Sequence, residues 1–176
     1  MDFIRIVNDP YSLAIGQRHI TVSTCGIVPK IREFADEETG VNLAISLHAP
    51  NNELRSKIMK INNAYKIEEV MDAVKYYISK TNRRVTFEYI LLKGVNDTEE
   101  CAKELSTLLR GINCYVNLIP YNETENIEFK RSTSSQIGIF YDILKKNSIN
   151  VTIRKEFGSN VSAACGQLRA ENLKGE

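Results

Sequence analysis

The chain has 176 residues, 43% of them hydrophobic and 26% charged, a composition that builds one core of ordinary size and excludes a mainly disordered protein. Its 23 Lys and Arg stand against 22 Asp and Glu, which excludes a globally basic or acidic surface and makes any nucleic-acid surface a local one. Every apolar run falls far short of a membrane span and no basic stretch leads into an apolar one at the start, so a cytoplasmic protein of one domain, residues 1–176, is expected.

The predicted elements alternate along the chain. Phe3 to Val7 reads as the end of a helix, Ile20 to Thr24 as a strand, and Pro29 to Glu37 as a helix stopped by Gly40. Val41 to His48 is the next strand. Ile67, Val70, Met71, Val74 and Ile78 then recur at helical spacing and form one apolar stripe. After a strand at Val85 to Leu92, Asp97 with Glu100 gives a capping-box signal ahead of Ala102, Leu105, Leu108 and Leu109, and Gly111 closes that helix. A strand at Tyr115 to Ile119, a helix at Ser134 to Lys146 and a strand at Val151 to Arg154 complete the series. Helices long enough to serve as crossovers predict right-handed βαβ units and a parallel sheet, an α/β layer or partial (β/α) barrel. The competing arrangement, an antiparallel sheet with one wet face, is opposed by those crossovers.

The strands carry a second signal. Parallel strands buried on both faces read as continuous apolar runs, yet these alternate. Thr21 and Ser23, then Asn42, Ala44, Ser46 and His48, then Thr86 and Glu88, then Asn117 fall on one face by the period of two. A shared polar face predicts an open wall that meets a polar ligand, with contacts at the strand carboxyl ends. The candidates there are Ser23, Thr24, Ser46, His48, Tyr121 and Asn122. Each has a plain structural alternative: a turn cap for Ser23 or Thr24, a satisfied histidine for His48, an Asx turn for Asn122. The four cysteines, Cys25, Cys101, Cys114 and Cys165, show no C-x-x-C spacing and no paired His, so neither a zinc module nor a disulfide framework is signalled; Cys101 and Cys114 read as buried thiols.

Five ordered blocks carry a resemblance: Arg18-His-Ile-Thr-Val-Ser-Thr-Cys-Gly-Ile-Val-Pro29, Leu43-Ala-Ile-Ser-Leu-His-Ala-Pro50, Phe87-Glu-Tyr-Ile-Leu-Leu-Lys-Gly-Val-Asn-Asp97, Asn117-Leu-Ile-Pro-Tyr-Asn122 and Ala163-Ala-Cys-Gly-Gln-Leu168. Together they closely resemble the radical S-adenosylmethionine adenosine C2-methyltransferases of large-subunit ribosomal RNA and transfer RNA, the ribosomal RNA large subunit methyltransferase N family. The resemblance runs nearly end to end.

It implies a partial (β/α) barrel of the radical SAM type, with Ser23, Ser46, Leu47, His48 and Asn122 at the S-adenosylmethionine site. Cys165 takes the place of the cysteine that the family methylates and uses as methyl carrier, while Cys25 reads as structural. The family's mechanism adds a carbon radical, derived from the S-methyl group, to the base and releases the product with a second cysteine. The family also holds a [4Fe-4S] cluster on a C-x-x-x-C-x-x-C loop and has a Gly-Met-Gly-Glu-Pro segment; neither motif occurs in this sequence. The chain therefore looks like the C-terminal part of such an enzyme, inactive alone, with four of six barrel strands and an exposed edge open to self-association. The implied partners are 23S rRNA and tRNA as substrates and a flavodoxin-type electron donor. Arg83 with Arg84, Lys130 with Arg131, Lys145 with Lys146 and Arg154 with Lys155 are the basic pairs available to RNA phosphates. Competing readings are a catalytically silent RNA- or S-adenosylmethionine-binding module, a C8-methylating relative, and an unrelated barrel enzyme that uses no metal.

Overall fold

A computed structural model of the chain describes residues 1–37, 39–123 and 129–155. Helix α1 (Asp2–Asn8) precedes an alternating series: β1 (Thr21–Thr24), α2 (Val28–Asp36), β2 (Asn42–Ser46), α3 (Asn52–Ile58), α4 (Ile67–Thr81), β3 (Val85–Leu91), α5 (Glu99–Leu108), β4 (Cys114–Pro120), α6 (Ser134–Lys146) and β5 (Val151–Ile153). The sheet has five strands in the order β1-β2-β3-β4-β5, and every neighbouring pair is parallel. All five strands read from the sequence are present, one more than the four barrel strands that the resemblance implies. The antiparallel alternative is excluded.

One cluster accounts for the core. Leu43, Ile45, Phe87, Tyr89, Val116 and Leu118 on the strands pack against Ile31 of α2, Val70 and Val74 of α4, Leu105 of α5 and Phe140 of α6. The four crossover helices therefore cover the same face of the sheet, as right-handed connections between sequential strands require. The alternate residues of β3 and β4 are only partly buried, which leaves the other face open.

The ends of the elements differ from expectation for local reasons. Thr98, not Asp97, caps α5: its hydroxyl accepts from the Cys101 N–H at 3.2 Å. Asp97 instead accepts from the Gly94 N–H at 2.9 Å and from the Ser132 hydroxyl at 2.7 Å, pinning the loop after β3 to the segment before α6. Strand β2 stops at Ser46 rather than His48. Both Leu47 and His48 donate their N–H to one carbonyl, that of Glu88, at 3.1 and 3.3 Å, and His48 turns into the left-handed region at φ 59°. Helix α3 was not expected at all; Asn51 caps it, accepting from the Leu54 N–H.

Candidate functional site at the strand carboxyl ends

The sheet register assembles the open face. Ser23 lies beside Ala44, Ala44 beside Thr86, Ser46 beside Glu88, Glu88 beside Asn117 and Asn117 beside Thr152. A polar row thus runs from Ser46 across β3 and β4 to β5. Two side-chain bonds order it, from Asn117 Nδ2 to Glu88 Oε2 at 2.9 Å and from the Thr152 hydroxyl to Asn117 Oδ1 at 3.4 Å. The second carboxylate oxygen of Glu88 has its acceptor capacity left over, the property that a ligand N–H or O–H uses.

Three buried polar side chains support this row at its carboxyl end. Arg55 of α3 is 0% exposed and reaches the carbonyls of Cys25, Ser46 and Leu47. Asn62, also buried, accepts from Arg55 at 3.1 Å and donates to the Asn52 carbonyl and the Ser56 hydroxyl. Asn96, 0% exposed, donates to the carbonyls of His48 and Ile90, both at 2.8 Å, and accepts from the Leu92 N–H at 2.7 Å. Its own carbonyl takes the Tyr89 hydroxyl at 2.8 Å. Every hydrogen-bonding group of the Asn96 side chain is satisfied, which makes the β2–β3 strand-end junction rigid.

His48 sits inside that junction. Its Nδ1 accepts from the Ile90 N–H at 3.1 Å, which assigns the ring proton to Nε2. Burial, and after it the positive charge of Arg55, lower its pKa to about 4 against the raising influence of the Glu88 carbonyl. The imidazole is therefore neutral near pH 7.

The residues singled out from the sequence fall into three groups. Ser23 and Ser46 share the open face of adjacent strands, His48 follows in the turn beyond β2 rather than on that face as the period of two predicts, and Asn122 stands exposed two residues beyond β4. Leu47, Thr24 and Tyr121 are placed otherwise. The Leu47 side chain is in the core, so only its backbone can meet a ligand. The Thr24 hydroxyl accepts from the Gly26 N–H at 3.2 Å, a turn cap, and the buried Tyr121 ring meets Phe129 edge-on with its hydroxyl unpartnered. Cys165 lies outside the described residues. The chain leaves β5 at the carboxyl end through Arg154, whose N–H donates to the Leu118 carbonyl at 2.8 Å, and Cys165 follows eleven residues later.

The basic pairs separate by end. Arg83 donates to Asn42 Oδ1 at 2.8 Å and Arg84 lies over the Tyr115 ring, both at the amino end, where Lys145 and Lys146 also close α6. Lys130 and Arg131, after β4, and Arg154 and Lys155, after β5, stand exposed at the carboxyl end.

With this geometry fixed, the chain can be set beside known proteins. Residues 2–105, more than half its length, match the Radical SAM superfamily. The chain belongs to the radical SAM superfamily. Among its relatives is the probable dual-specificity RNA methyltransferase RlmN of Caldanaerobacter subterraneus subsp. tengcongensis, 58% identical over 99% of this chain and 51% of the relative. The protein of the same description from Spiroplasma citri is 58% identical over 98% of this chain and 49% of the relative. A crystal structure of a radical SAM methyltransferase from Sphaerobacter thermophilus superposes with a TM-score of 0.90 at 47% identity, covering 93% of this chain and 48% of that one. The chain spans about half the length of the curated relatives it matches. The resemblance to the methyltransferase N family read from the five blocks is borne out, as is the partial barrel of the radical SAM type. A domain of a pyruvate-formate lyase-activating enzyme from Bacteroides vulgatus, 19% identical with a TM-score of 0.66, shares the fold.

The superfamily implies S-adenosylmethionine and an iron-sulfur cluster, and the two fare differently here. Free hydroxyls and an acceptor carboxylate on one open face, with a neutral histidine in the turn beside them, suit a polar nucleoside such as S-adenosylmethionine. A [4Fe-4S] cluster needs converging thiolates. Among the described residues no three metal-binding side chains group together, and Cys101 and Cys114 are buried thiols. Burial pushes the Cys101 thiol up and that of Cys114 up to about 11, the opposite of a ligating thiolate. The described residues do not fit the cluster.

Sequence reasoning missed Arg55, Asn62 and Asn96 as parts of this site. Arg55 reads as a surface residue of a polar stretch. The Asn96-Asp97 pair after a strand was the available signal, of which only Asp97 was read, as a helix cap.

Proposed function

We propose that this chain is the S-adenosylmethionine-binding and methyl-carrying part of an RNA methyltransferase that modifies C2 of adenosine in 23S rRNA and tRNA. The observation that carries the reading is the position of Ser23 and Ser46 on one open face of adjacent strands, with His48 in the turn that follows Ser46, in a chain 58% identical over nearly its whole length to a probable dual-specificity RNA methyltransferase. The Ser23 and Ser46 hydroxyls, the Leu47 backbone, the His48 ring and Asn122 bind and orient the nucleoside. Cys165 accepts the methyl group: its thiolate sulfur forms a bond to carbon as the sulfonium carbon–sulfur bond breaks, and S-adenosylhomocysteine leaves. A thiolate suits this displacement and the sp² C2 carbon of adenine does not, because that carbon is a poor nucleophile.

When bound, the family's [4Fe-4S] cluster supplies one-electron reductive chemistry. This chain alone is expected to be inactive, since its residues lack the motif that holds the cluster. A flavodoxin-type electron donor, a cytoplasmic location and self-association through the β1 edge belong to the same proposal; no helix among the described residues is long and apolar enough to cross a membrane. For RNA phosphates the proposal takes Lys130, Arg131, Arg154 and Lys155 at the ligand end over the pairs at the amino end.

The test is co-expression with the remaining half of an RlmN relative, followed by peptide mass spectrometry around Cys165 and analysis of modified nucleosides. S-methyl-Cys165 together with 2-methyladenosine is expected, and Cys165→Ala abolishes the nucleoside product. A 8-methyladenosine product would point to the C8-methylating relative. RNA methylation that survives Cys165→Ala would remove the carrier role, and no methylation of either Cys165 or RNA would leave a silent binding module.

A further inference from the structure

Arg55 is fully buried, and its five N–H donors are all used. Nε donates to the Leu47 carbonyl at 3.2 Å. One terminal nitrogen donates to Asn62 Oδ1 at 3.1 Å and the Tyr65 carbonyl at 3.4 Å, and the other to the carbonyls of Cys25 at 2.7 Å and Ser46 at 3.4 Å. No carboxylate is among these partners. A guanidinium taken out of water without an anion is costly, and here only oxygen dipoles compensate it. Three of those dipoles are carbonyls where β1 and β2 end, of Cys25, Ser46 and Leu47, and the other two, the Tyr65 carbonyl and Asn62 Oδ1, come from the segment between α3 and α4. The planar five-donor fork matches them; an ammonium with three donors cannot.

The chain after β1 passes directly over the guanidinium. Gly26 sits at φ +101°, and a Cβ there would lie 3.0 Å from an Arg55 terminal nitrogen. Arg55 thus grips Cys25, two residues from Ser23, and both Ser46 and Leu47, next to His48. From the opposite side Asn96 holds the His48 carbonyl, so the left-handed turn at His48 is fixed from two directions.

We infer that Arg55 is a positioning residue for the S-adenosylmethionine site: it sets the end of β1 and the Ser46-to-His48 turn at a fixed separation, so that Ser23, Ser46 and His48 are preorganised to receive the nucleoside. This rests on the reading of that face as the S-adenosylmethionine site. A staple that serves stability alone would lower the melting temperature and leave the ligand face unchanged.

The experiment uses the 176-residue chain and its Arg55→Lys variant, with the His48 ring followed by NMR and S-adenosylmethionine titrated to millimolar concentration. Lysine keeps the positive charge, so a change at His48 reports geometry. Arg55 on α3 is the charged group that acts on that ring, and β3 faces it with backbone groups, the Glu88 carbonyl and the Ile90 N–H. Arg55→Lys is expected to weaken S-adenosylmethionine binding by about tenfold and to raise the His48 titration midpoint from about 4 as the turn loosens. A folded variant with a lower melting temperature but unchanged affinity and unchanged His48 midpoint overturns the inference. If the unmodified chain shows no S-adenosylmethionine shifts, the ligand reading fails instead, and the His48 midpoint alone decides whether Arg55 sets the turn. Should Arg55→Lys not fold, Asn62→Ala, which removes one acceptor and leaves Arg55 in place, is read by the same two signals.

Discussion

The two ends of the sheet are finished by different chemistry. At the amino ends of the strands, Asn42 donates to the carbonyls of Arg18 and Ile20, Arg83 reaches Asn42, and Arg84 lies over Tyr115; these residues stay at least partly exposed, although the Arg83 Nε is buried without a partner. At the carboxyl ends, Arg55, Asn62, Asn96, Asp97 and Ser132 are all buried. Of the buried polar residues described, only Ser106 lies elsewhere, bonded to the Ala102 carbonyl within α5. Burying a polar group destabilises a fold unless each of its bonds is made, so the carboxyl end trades tolerance for a backbone fixed in one geometry. That is the end where ligands of parallel α/β proteins bind.

The sharpest way to break this comparison is Asn96→Ala. It leaves the Leu92 N–H and the His48 and Ile90 carbonyls without partners in the interior, and a loss of about 3–4 kcal/mol in urea unfolding is expected. A loss below about 1 kcal/mol would mean that the carboxyl end is no more demanding than the other.

The next effect is a pH dependence. The folded pKa of His48, about 4, lies below the usual 6.5, so on acidification the unfolded chain takes up the proton first. The associated stability is complete above about pH 6.5 and is lost as pH falls toward 4, by up to about 3 kcal/mol. Unfolding curves at pH 7 and pH 4.5 measure it, and His48→Gln should flatten the difference. An equal slope in the variant would show that His48 is not the group responsible.

At the amino end, Tyr77→Phe removes one bond to the Val41 carbonyl, with an expected cost of about 1 kcal/mol. Smallest is Arg84→Ala, which removes a cation–π contact of an exposed side chain and should cost about 0.5 kcal/mol. If either matched Asn96→Ala, the asymmetry of the two ends would be lost.

Much of this was legible in the sequence, for reasons that can be named. The stripe from Ile67 to Ile78 and the alternation in Phe87, Glu88 and Tyr89 are periodic patterns, and periodicity depends only on which face meets the core. The polar face and the place of Ser23 and Ser46 on it followed from the same period, which does not extend to His48, in the left-handed turn beyond β2. Strand ends were less accessible: β2 stops before Leu47 because the Glu88 carbonyl, forty residues away in sequence, captures two successive N–H groups. Arg55 was invisible for a related reason. Its partners come from Cys25, Ser46, Leu47, Asn62 and Tyr65, and no local pattern marks a cation whose acceptors are backbone oxygens on other elements. Asp97 was misread as helix-cap chemistry because a short polar side chain before a helix has that role more often than a tertiary one, and Asn96 beside it was given no role.

Sheet order has a consequence for how the chain reaches this structure. Each strand pairs with the one that precedes it across a single crossover, so no pairing waits for a strand from the far end, and the connections that must close, from 17 residues between β1 and β2 to 38 between β2 and β3, differ by only about 0.7 kcal/mol in closure entropy. Such a sheet can grow by accretion, with each new strand docking on the edge left by the last and its helix sealing the joint. During synthesis from the amino terminus, β1 and β2 can zip together before β3 has been made, and the junction locked by Asn96 forms as soon as β3 and the loop after it arrive.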